Sequence, residues 1–409
     1  ASFGQAGMGI ALSPENLQAE QAAVAAYTGA PPTSRRRPLV LIIVDALRSD
    51  VTGAYGAPID NTPFLSSLVR SGQMQAIEDA YSVCTVSYCG ILGTLASRHW
   101  HQMTPQPWGL ADALARSGYE SRFYLSGDHT SFYGLRTMYG SAPSLVIDGG
   151  SQKARYSNDD RLVLDALDTH GWPKEHPGFL YVHLMSAHRL GLVDEAYKRW
   201  NSGNAPTYSR FGTLAADDGP ESRARYHNGI LQADAMIERI FQRLAKLKVL
   251  DEAMVIITAD HGEFIGEGGQ WSHGHMPFEP VVRIPLLVYD RLVERPLPAR
   301  RLASHIDIAP TFLQAIGAPV PAHWAGVPLQ RAMNRDSLLL DSAEAVGLVA
   351  DEGQGRYKYL RPRDGSPERL YLLKPGHETE AVDLARNARQ ADQLARLRLQ
   401  HQHLLGLAP

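Results

Sequence analysis

Three apolar runs, far apart in the chain, each stop at side chains capable of chemistry. Pro38-Leu-Val-Leu-Ile-Ile-Val-Asp45 ends on a carboxylate, and Phe179-Leu-Tyr-Val-His-Leu-Met-Ser-Ala-His188 ends on an imidazole. Val255-Ile-Ile-Thr-Ala-Asp-His-Gly-Glu263 ends on an acid, an imidazole and a glycine. Short β-branched runs without alternation predict strands buried on both faces, as in a parallel sheet. The carboxyl ends of such strands deliver side chains to the crevice where open α/β sheets bind ligands. Asp-His-Gly alone would also suit a turn in which Asp260 caps the next segment. Convergence of several strand ends on ligand-type side chains is expected of a site and not of turns.

The segments between these runs follow a helical period. Residues 232–247 carry Ala233, Met236, Ile237, Ile240, Phe241 and Leu244 at three- and four-residue spacing, which predicts an amphipathic helix leading into the Val255 strand. That order is a βαβ crossover. Pro63 at a helix start, apolar Phe64, Leu65, Leu68 and Val69, and a closing Gly72 predict a short amphipathic helix. Residues 84–98 open polar and become apolar and small, the pattern of a buried helix with Cys84, Thr85 and Ser87 at its N-terminus. Unpaired N–H groups there stabilise a thiolate, an alkoxide or a bound oxyanion, although Thr85 and Ser87 would equally serve as caps. Beyond about Arg335 the runs shorten to 345–351, 357–360 and 370–373, followed by a helix rich in Arg, Gln and Leu, which predicts a small antiparallel sheet plus a terminal helix. The expected architecture is α/β, a mainly parallel central sheet flanked by helices with a small C-terminal antiparallel subdomain. Its expected divisions are an N-terminal linker or tail over 1–37, a catalytic domain over 38–334 and the subdomain over 335–409. The polar, proline-containing stretch 189–221 is expected as a surface insertion near the substrate entrance.

Composition narrows the classes. With 409 residues, 44% hydrophobic and 20% charged, the chain has the makings of a large core. A net charge of −3 argues against a nucleic-acid partner and against strong electrostatic adhesion to a membrane. No run of 18 apolar residues is present to span a bilayer. The start at Ala1, without a signal segment, is expected of a processed or truncated product. A possible helix over 14–26, then proline, glycine and serine with Arg35, Arg36 and Arg37, reads as a solvated linker, or as the join to a membrane anchor outside this chain. Cys84 and Cys89 are too few for a zinc ribbon. They leave a local disulfide in an oxidising compartment, a reactive thiol, or two small buried side chains. Asp260 with neutral His261 is a common pairing for a divalent transition metal, and Gly262 lets the backbone turn closely around a bound group.

A family resemblance rests on motifs in a fixed order. These are Asp45-Ala-Leu-Arg-Ser-Asp50 with Tyr55-Gly56 and Thr62-Pro63, then Cys84-Thr-Val-Ser87, then Thr258-Ala-Asp-His-Gly-Glu263. Phe278-Glu279 followed by Arg283-Ile-Pro-Leu286, and His305-Ile-Asp-Ile-Ala-Pro-Thr311 with Gly317, complete the series. Together they resemble the sulfatase-like branch of the alkaline phosphatase superfamily over most of residues 38–390. The resemblance implies a metal site made by Asp45, Asp260, His261 and a hydroxyl or thiolate from residues 84–85, suited to zinc or manganese. Sulfatases usually add an adjacent acid to build a calcium site, but Ala46 follows Asp45 here, which tilts the expectation to zinc. His188 matches the family position that binds the transferring group or a second metal. His273 and His275, on either side of Gly274, are expected at the anionic group or a second metal, with His273 preferred. Arg48 is expected to meet the substrate, to pair with Asp50 or to shield the site. Residues 123–134 resemble a segment of phosphoglycerol and lipoteichoic acid transferases and would put Asp128 and His129 at the crevice edge.

The nucleophile decides the reaction. Sulfatases convert the cysteine of C-x-P-x-R to formylglycine, whereas this chain reads Cys84-Thr-Val-Ser-Tyr88, without the proline or the arginine. Phosphoethanolamine and phosphoglycerol transferases of the superfamily use an unmodified threonine, and Thr85 stands beside Cys84. Ser87, three after Cys84, fits the sulfatase register instead. The reading favours Thr85 over Cys84, and in that case Cys84 and Cys89 can close a disulfide, as suits a periplasmic protein. The function expected from the resemblance is a metal-dependent transferase. It would move a substituted phosphoryl group from a phospholipid donor to a glycan or lipid acceptor through a covalent intermediate, with His188 and His273 at the remaining oxygens. The chain would be the extracytoplasmic soluble part of a membrane-anchored protein. The alternatives are a sulfatase or phosphodiesterase using a modified Cys84, and a non-catalytic protein that binds an anionic glycan in the same crevice.

Overall fold

The computed structural model describes residues 12–31, 33–132, 134–151, 156–173, 177–203, 219–293, 296–299, 302–333, 335–352, 355–373, 380 and 382–406. Its main sheet contains β1 (Leu39–Val44), β2 (Met74–Ala76), β3 (Glu120–Leu125), β4 (Leu145–Ile147), β5 (Gly178–Leu184), β6 (Met254–Thr258) and β7 (Leu286–Asp290). They lie in the order β2-β7-β6-β1-β5-β3-β4. The flanking helices are α1 (Pro14–Ala26), α2 (Pro63–Arg70), α3 (Ser87–Ala96), α4 (Leu110–Ala115), α5 (Arg161–His170), α6 (Pro220–Lys246), α7 (Glu279–Val282) and α8 (Ile308–Ala315).

Strand β1 has no polar face, and every one of its six residues is fully buried. Such a strand is stable only with neighbours on both edges and cover on both faces. It pairs in parallel with β5 on one side and β6 on the other, and the chain passes from β5 through α6 to β6 across it. The parallel character extends through β3 and β4. On the other flank β7 runs antiparallel to both β6 and β2.

Two elements differ from the sequence expectation for identifiable reasons. Helix α6 begins at Pro220, not near residue 232, because its first half buries polar side chains that hold a loop. Asn228 Oδ1 accepts from the backbone N–H groups of Arg199 and Trp200, both at 2.9 Å, and Gln232 Nε2 donates to Leu192 O at 2.8 Å. An apolar period cannot register such a face. Strand β5 stops at Leu184, four residues short of His188, where the Asp160 carboxylate takes the N–H groups of Met185 and Ser186 at 2.6 and 3.1 Å. Of the expected surface insertion, residues 204–218 lie outside the described part.

The second sheet is an antiparallel meander, β8 (Ser337–Asp341), β9 (Ala345–Asp351), β10 (Arg356–Pro362) and β11 (Arg369–Leu373). Helix α9 (Ala391–Leu404) sets Leu397 into a small core with Leu348, Tyr359 and Leu370. Strand β8 was not foreseen from the pattern. Several links among the described residues join this sheet to the main part of the fold. Asp341 N–H donates to Val83 O at 2.9 Å, and Arg356 clamps Asp79 with Nη1 and Nη2 at 2.7 and 2.8 Å. Lys358, wholly buried, lies 2.7 Å from Glu279 Oε1 and 2.6 Å from Glu380 Oε1, and donates to Pro277 O at 2.9 Å. Among the described residues no helix is long and apolar enough to cross a membrane.

Removing one partner of a buried charge cluster leaves the rest uncompensated. Lys358→Met, which strands two buried carboxylates, is therefore expected to cost about 3–5 kcal/mol of unfolding free energy. Urea denaturation measures this, and an unchanged midpoint would show that the cluster is solvated in solution.

Candidate active site

The parallel register sets Ile43 of β1 beside both His183 of β5 and Thr258 of β6. Asp45 and Asp260 follow their strands by one and two residues, so both carboxylates arrive at the same sheet edge. The chain leaves Asp45 through Ala46 at φ +62°, a left-handed conformation rare for a side chain with a Cβ. That turn aims the Ala46 N–H at Asp260 Oδ1, 3.2 Å away, and His261 N–H donates to the same oxygen at 3.0 Å. Asp260 Oδ2 is left buried without a hydrogen-bond partner. Asp45 divides its oxygens in the same way, with Oδ2 facing His183 Nε2 at 3.2 Å and Oδ1 buried and unpartnered.

His261 completes the group. Its Nδ1 lies 2.9 Å from Gly262 O and must donate to that carbonyl, which leaves the lone pair on Nε2. That nitrogen is 3.8 Å from Asp45 Oδ1 and 3.5 Å from Asp260 Oδ2. One ligand atom from each of the three residues falls within 4.8 Å of the others. Two buried carboxylate oxygens without donors and an imidazole lone pair, its tautomer fixed by a carbonyl, make the donor set of a divalent cation. The residues present therefore fit a metal, and the desolvated acids are costly without one.

Helix α3 brings Thr85 to this group. A Cβ on Gly90 would lie 2.1 Å from Asp260 O, so only glycine lets the first helical turn pack onto the acid's backbone. Ser82 Oγ donates to Asp260 O at 2.9 Å, and Ser87 Oγ lies 3.2 Å from His261 Nε2. Thr85 stands between these anchors, its carbonyl accepting from Gly274 N–H at 3.0 Å. Thr85 Oγ1 is buried and has no hydrogen-bond partner. The helix N-cap is Val86, with no side-chain capping bond, so neither Thr85 nor Ser87 is used as a cap. Cys84 is joined to Cys89 by a disulfide, and its sulfur offers no thiol in this state.

A second group lies against the first. His188, Glu263 and His273 also offer ligand atoms within 4.8 Å of one another. The His273 ring is 4.2 Å from that of His261 and 5.4 Å from that of His188, centroid to centroid. Burial opposes charge on His273, but the Glu263 carboxylate, 3.3 Å away, outweighs it and raises the imidazole to about 9. Burial likewise opposes charge on Asp45, yet the surrounding imidazoles of His188, His183 and His261 hold its carboxyl well below the usual range. Leu190 N–H donates to His188 Nδ1 at 3.1 Å, so the neutral His188 ring carries its proton on Nε2 and is a donor there.

Four residues expected at the substrate are engaged by other protein groups. Arg48 is buried with its guanidinium already engaged, Nε and Nη2 on Asp50 at 2.9 and 2.6 Å and Nη1 on Glu267 Oε1 at 2.6 Å and Glu263 O at 3.0 Å. The pairing with Asp50 is one of the alternatives expected from sequence, and Nη1 braces the loop that carries Asp260 to Glu263. His275 is turned to the surface by Gly274 at φ +87° and pairs with Glu344 at 3.0 Å. Asp128 Oδ1 accepts from Ser131 N–H at 2.9 Å within its own loop. His129 is buried, donates from Nε2 to Ser126 O at 2.8 Å and packs edge-on to His183 at 4.6 Å, so it backs a residue that backs Asp45. His183 and Glu263 were not singled out from sequence. The available signals were a histidine inside an otherwise apolar strand and an acid three residues after Asp260.

The Sulfatase family model matches residues 37–318, more than half of the chain. The extracellular sulfatase SULF-1 homolog of Drosophila melanogaster is 32% identical over 120 residues, 27% of this chain but 11% of that protein's length. The phosphonate monoester hydrolase of Agrobacterium radiobacter superposes with a TM-score of 0.68 at 19% identity, covering 90% of this chain and 96% of that one. The soluble domain of lipooligosaccharide phosphoethanolamine transferase A from Neisseria meningitidis gives a TM-score of 0.59 at 18% identity, covering 74% and 94%. At such identities the structural likenesses speak for the fold. With the family model, the ordered motifs and the strand-end cluster in agreement, this chain belongs to the sulfatase family.

Proposed function

We propose that this sulfatase-family enzyme is a transferase that moves a substituted phosphoryl group, of the phosphoethanolamine or phosphoglycerol type, through a covalent bond to Thr85. The observation that carries the reading is the pairing of Cys84 with Cys89 beside a buried, unpartnered Thr85 Oγ1. The sulfur that a sulfatase would modify is occupied, and the neighbouring hydroxyl is the available nucleophile. Asp45, Asp260, His261 and Thr85 would hold one divalent cation, with zinc suited to their nitrogen and oxygen donors. His188, Glu263 and His273 form the second group of ligand type.

A bound cation would supply a lowered hydroxyl pKa and charge neutralisation at the phosphoryl oxygens. Thr85 Oγ, entering as the alkoxide, forms the bond to phosphorus as the bond from phosphorus to the donor's leaving oxygen breaks. The His273 imidazolium, kept charged by Glu263, gives that oxygen its proton and is left as the neutral ring. His188, neutral with its proton on Nε2, would donate a hydrogen bond to a phosphoryl oxygen. In the return half-reaction the acceptor hydroxyl passes its proton to the neutral His273 ring, attacks phosphorus and releases Thr85 as the alkoxide. The proposed donor is a phospholipid and the proposed setting extracytoplasmic, in keeping with the disulfide. A second reading, transfer to water, is favoured by the likeness to a phosphonate monoester hydrolase over 96% of that chain.

Thr85→Ala is expected to lower turnover of an aryl phosphodiester by about 10³-fold or more, the scale of losing a nucleophile. Cys84→Ser is expected to retain measurable turnover, with a lowered melting temperature from loss of the disulfide. Steady-state kinetics on both variants checks this, and an active Thr85→Ala with a dead Cys84→Ser would overturn the assignment. Chelation should abolish activity and lower the melting temperature, with zinc restoring both, and elemental analysis reads the metal content directly. Aryl phosphodiester should be turned over faster than aryl sulfate. Adding a hydroxyl-bearing acceptor should raise the rate if the enzyme is a transferase and leave it unchanged if water is the acceptor.

A further inference from the structure

The hairpin that joins the two halves of the second group also walls a separate pocket. Glu263 enters it and His273 leaves it, and between them Phe264 pairs with Ser272 and Ile265 with Trp271. Behind the hairpin lies a cavity of about 380 Å³, lined by Trp271, by Trp200, and by Arg223, Ala224 and His227 of α6. Trp271 stands two residues before His273, so the pocket borders the segment that carries that histidine.

The walls are held in place. Gly266 has φ +113°, and a Cβ there would come within 3.0 Å of Trp271 Cζ2 and 3.1 Å of Arg223 Nη2, so the glycine lets both side chains close over it. Arg223 donates Nε and Nη2 to Ile265 O at 3.1 and 2.9 Å. The Trp200 ring sits 5.9 Å from the His227 ring. Asn61 uses Oδ1 to accept from Gly53 N–H and Nδ2 to donate to Val51 O, which fixes its amide. The contact from Nδ2 to His227 Nδ1 at 3.3 Å is therefore a donation, and His227 carries its proton on Nε2. Burial, reinforced by Arg223 and Arg48, lowers His227 to about 4, so it is a neutral donor at pH 7.

We infer that this pocket is a subsite for a pyranose ring of a glycan substrate. The inference deepens the proposed function by selecting a glycan over a lipid as acceptor, and it rests on that reading only for the word substrate. Indole faces meet the C–H face of a sugar ring, while Arg223 and His227 supply N–H donors for ring hydroxyls. An acyl chain would bury those donors without acceptors, which costs affinity. The volume lies at the small end of the roughly 300–1,000 Å³ range of ligand pockets, and suits a single ring better than an extended chain.

The test is saturation-transfer NMR on the full chain with methyl glucopyranoside, methyl galactopyranoside and methyl N-acetylglucosaminide, which have no phosphoryl group and so report on the pocket alone. At least one should receive saturation at its ring C–H protons. Trp200→Ala should weaken that ligand at least 10-fold, while Trp200→Phe keeps it, with the melting temperature confirming that both variants fold. Octyl glycerol, a lipid-like probe with hydroxyls but no ring, should show no Trp200-dependent signal. Failure of every pyranoside, a signal that survives Trp200→Ala, or Trp200-dependent binding of octyl glycerol would each overturn the inference. Binding that persists in a chain showing no phosphoryl transfer would leave the pocket standing and remove only the transferase reading.

Discussion

Two carboxylates sit where water does not reach, at the ends of two adjacent strands that are themselves wholly apolar. Asp45 is 4% exposed and Asp260 not at all, and a buried ion costs several kcal/mol unless it is paired. Each acid meets that cost with one oxygen only. Ala46 N–H and His261 N–H serve Asp260 Oδ1, His183 serves Asp45 Oδ2, and the other two oxygens face each other's neighbourhood without a donor. The strained turn at Ala46, a conformation costing about 1–3 kcal/mol, persists because it satisfies one of these oxygens.

The rest of the site is arranged around that charge. Imidazoles surround it in two tiers, His261 and His183 in contact with Asp45, and His129 and Tyr181 holding His183 in turn, Tyr181 Oη at 3.0 Å from Nδ1. Arg48 and Arg225 are buried nearby but turned outward to brace loops, Arg225 through the His188 carbonyl at 3.1 Å. The cationic and neutral donors that face the crevice are thus histidines, His273 held protonated and His188 kept neutral by burial. A doubly acidic floor beside a histidine rim suits a cation below and an oxyanion above.

A disulfide borders the same site. Closing Cys84 onto Cys89 across the first turn of α3 occupies both sulfurs and ties the segment that carries Thr85 to the helix. Family membership alone leaves the choice between Cys84 and Thr85 as nucleophile open, since the family is broad enough to include sulfatases with modified cysteines, and the fold extends to phosphonate hydrolases and phosphoethanolamine transferases.

Much of this was written in the order of the residues. The unbroken apolar runs ending at Asp45 and Asp260-His261 determined a buried parallel sheet and the side chains at its edge, because a strand covered on both faces leaves only its ends free for polar groups. His183 was hidden for the same reason, since within an apolar run one imidazole reads as a core residue until the register sets it beside Ile43 and opposite Asp45. Glu263 closes the motif and His273 lies 10 residues further on, but only the hairpin between them decided that they pair. His275, Asp128 and His129 had the right chemistry at the right distance along the chain. Tertiary structure assigned them other partners, because spacing fixes which residues are near a site and not which way their side chains turn.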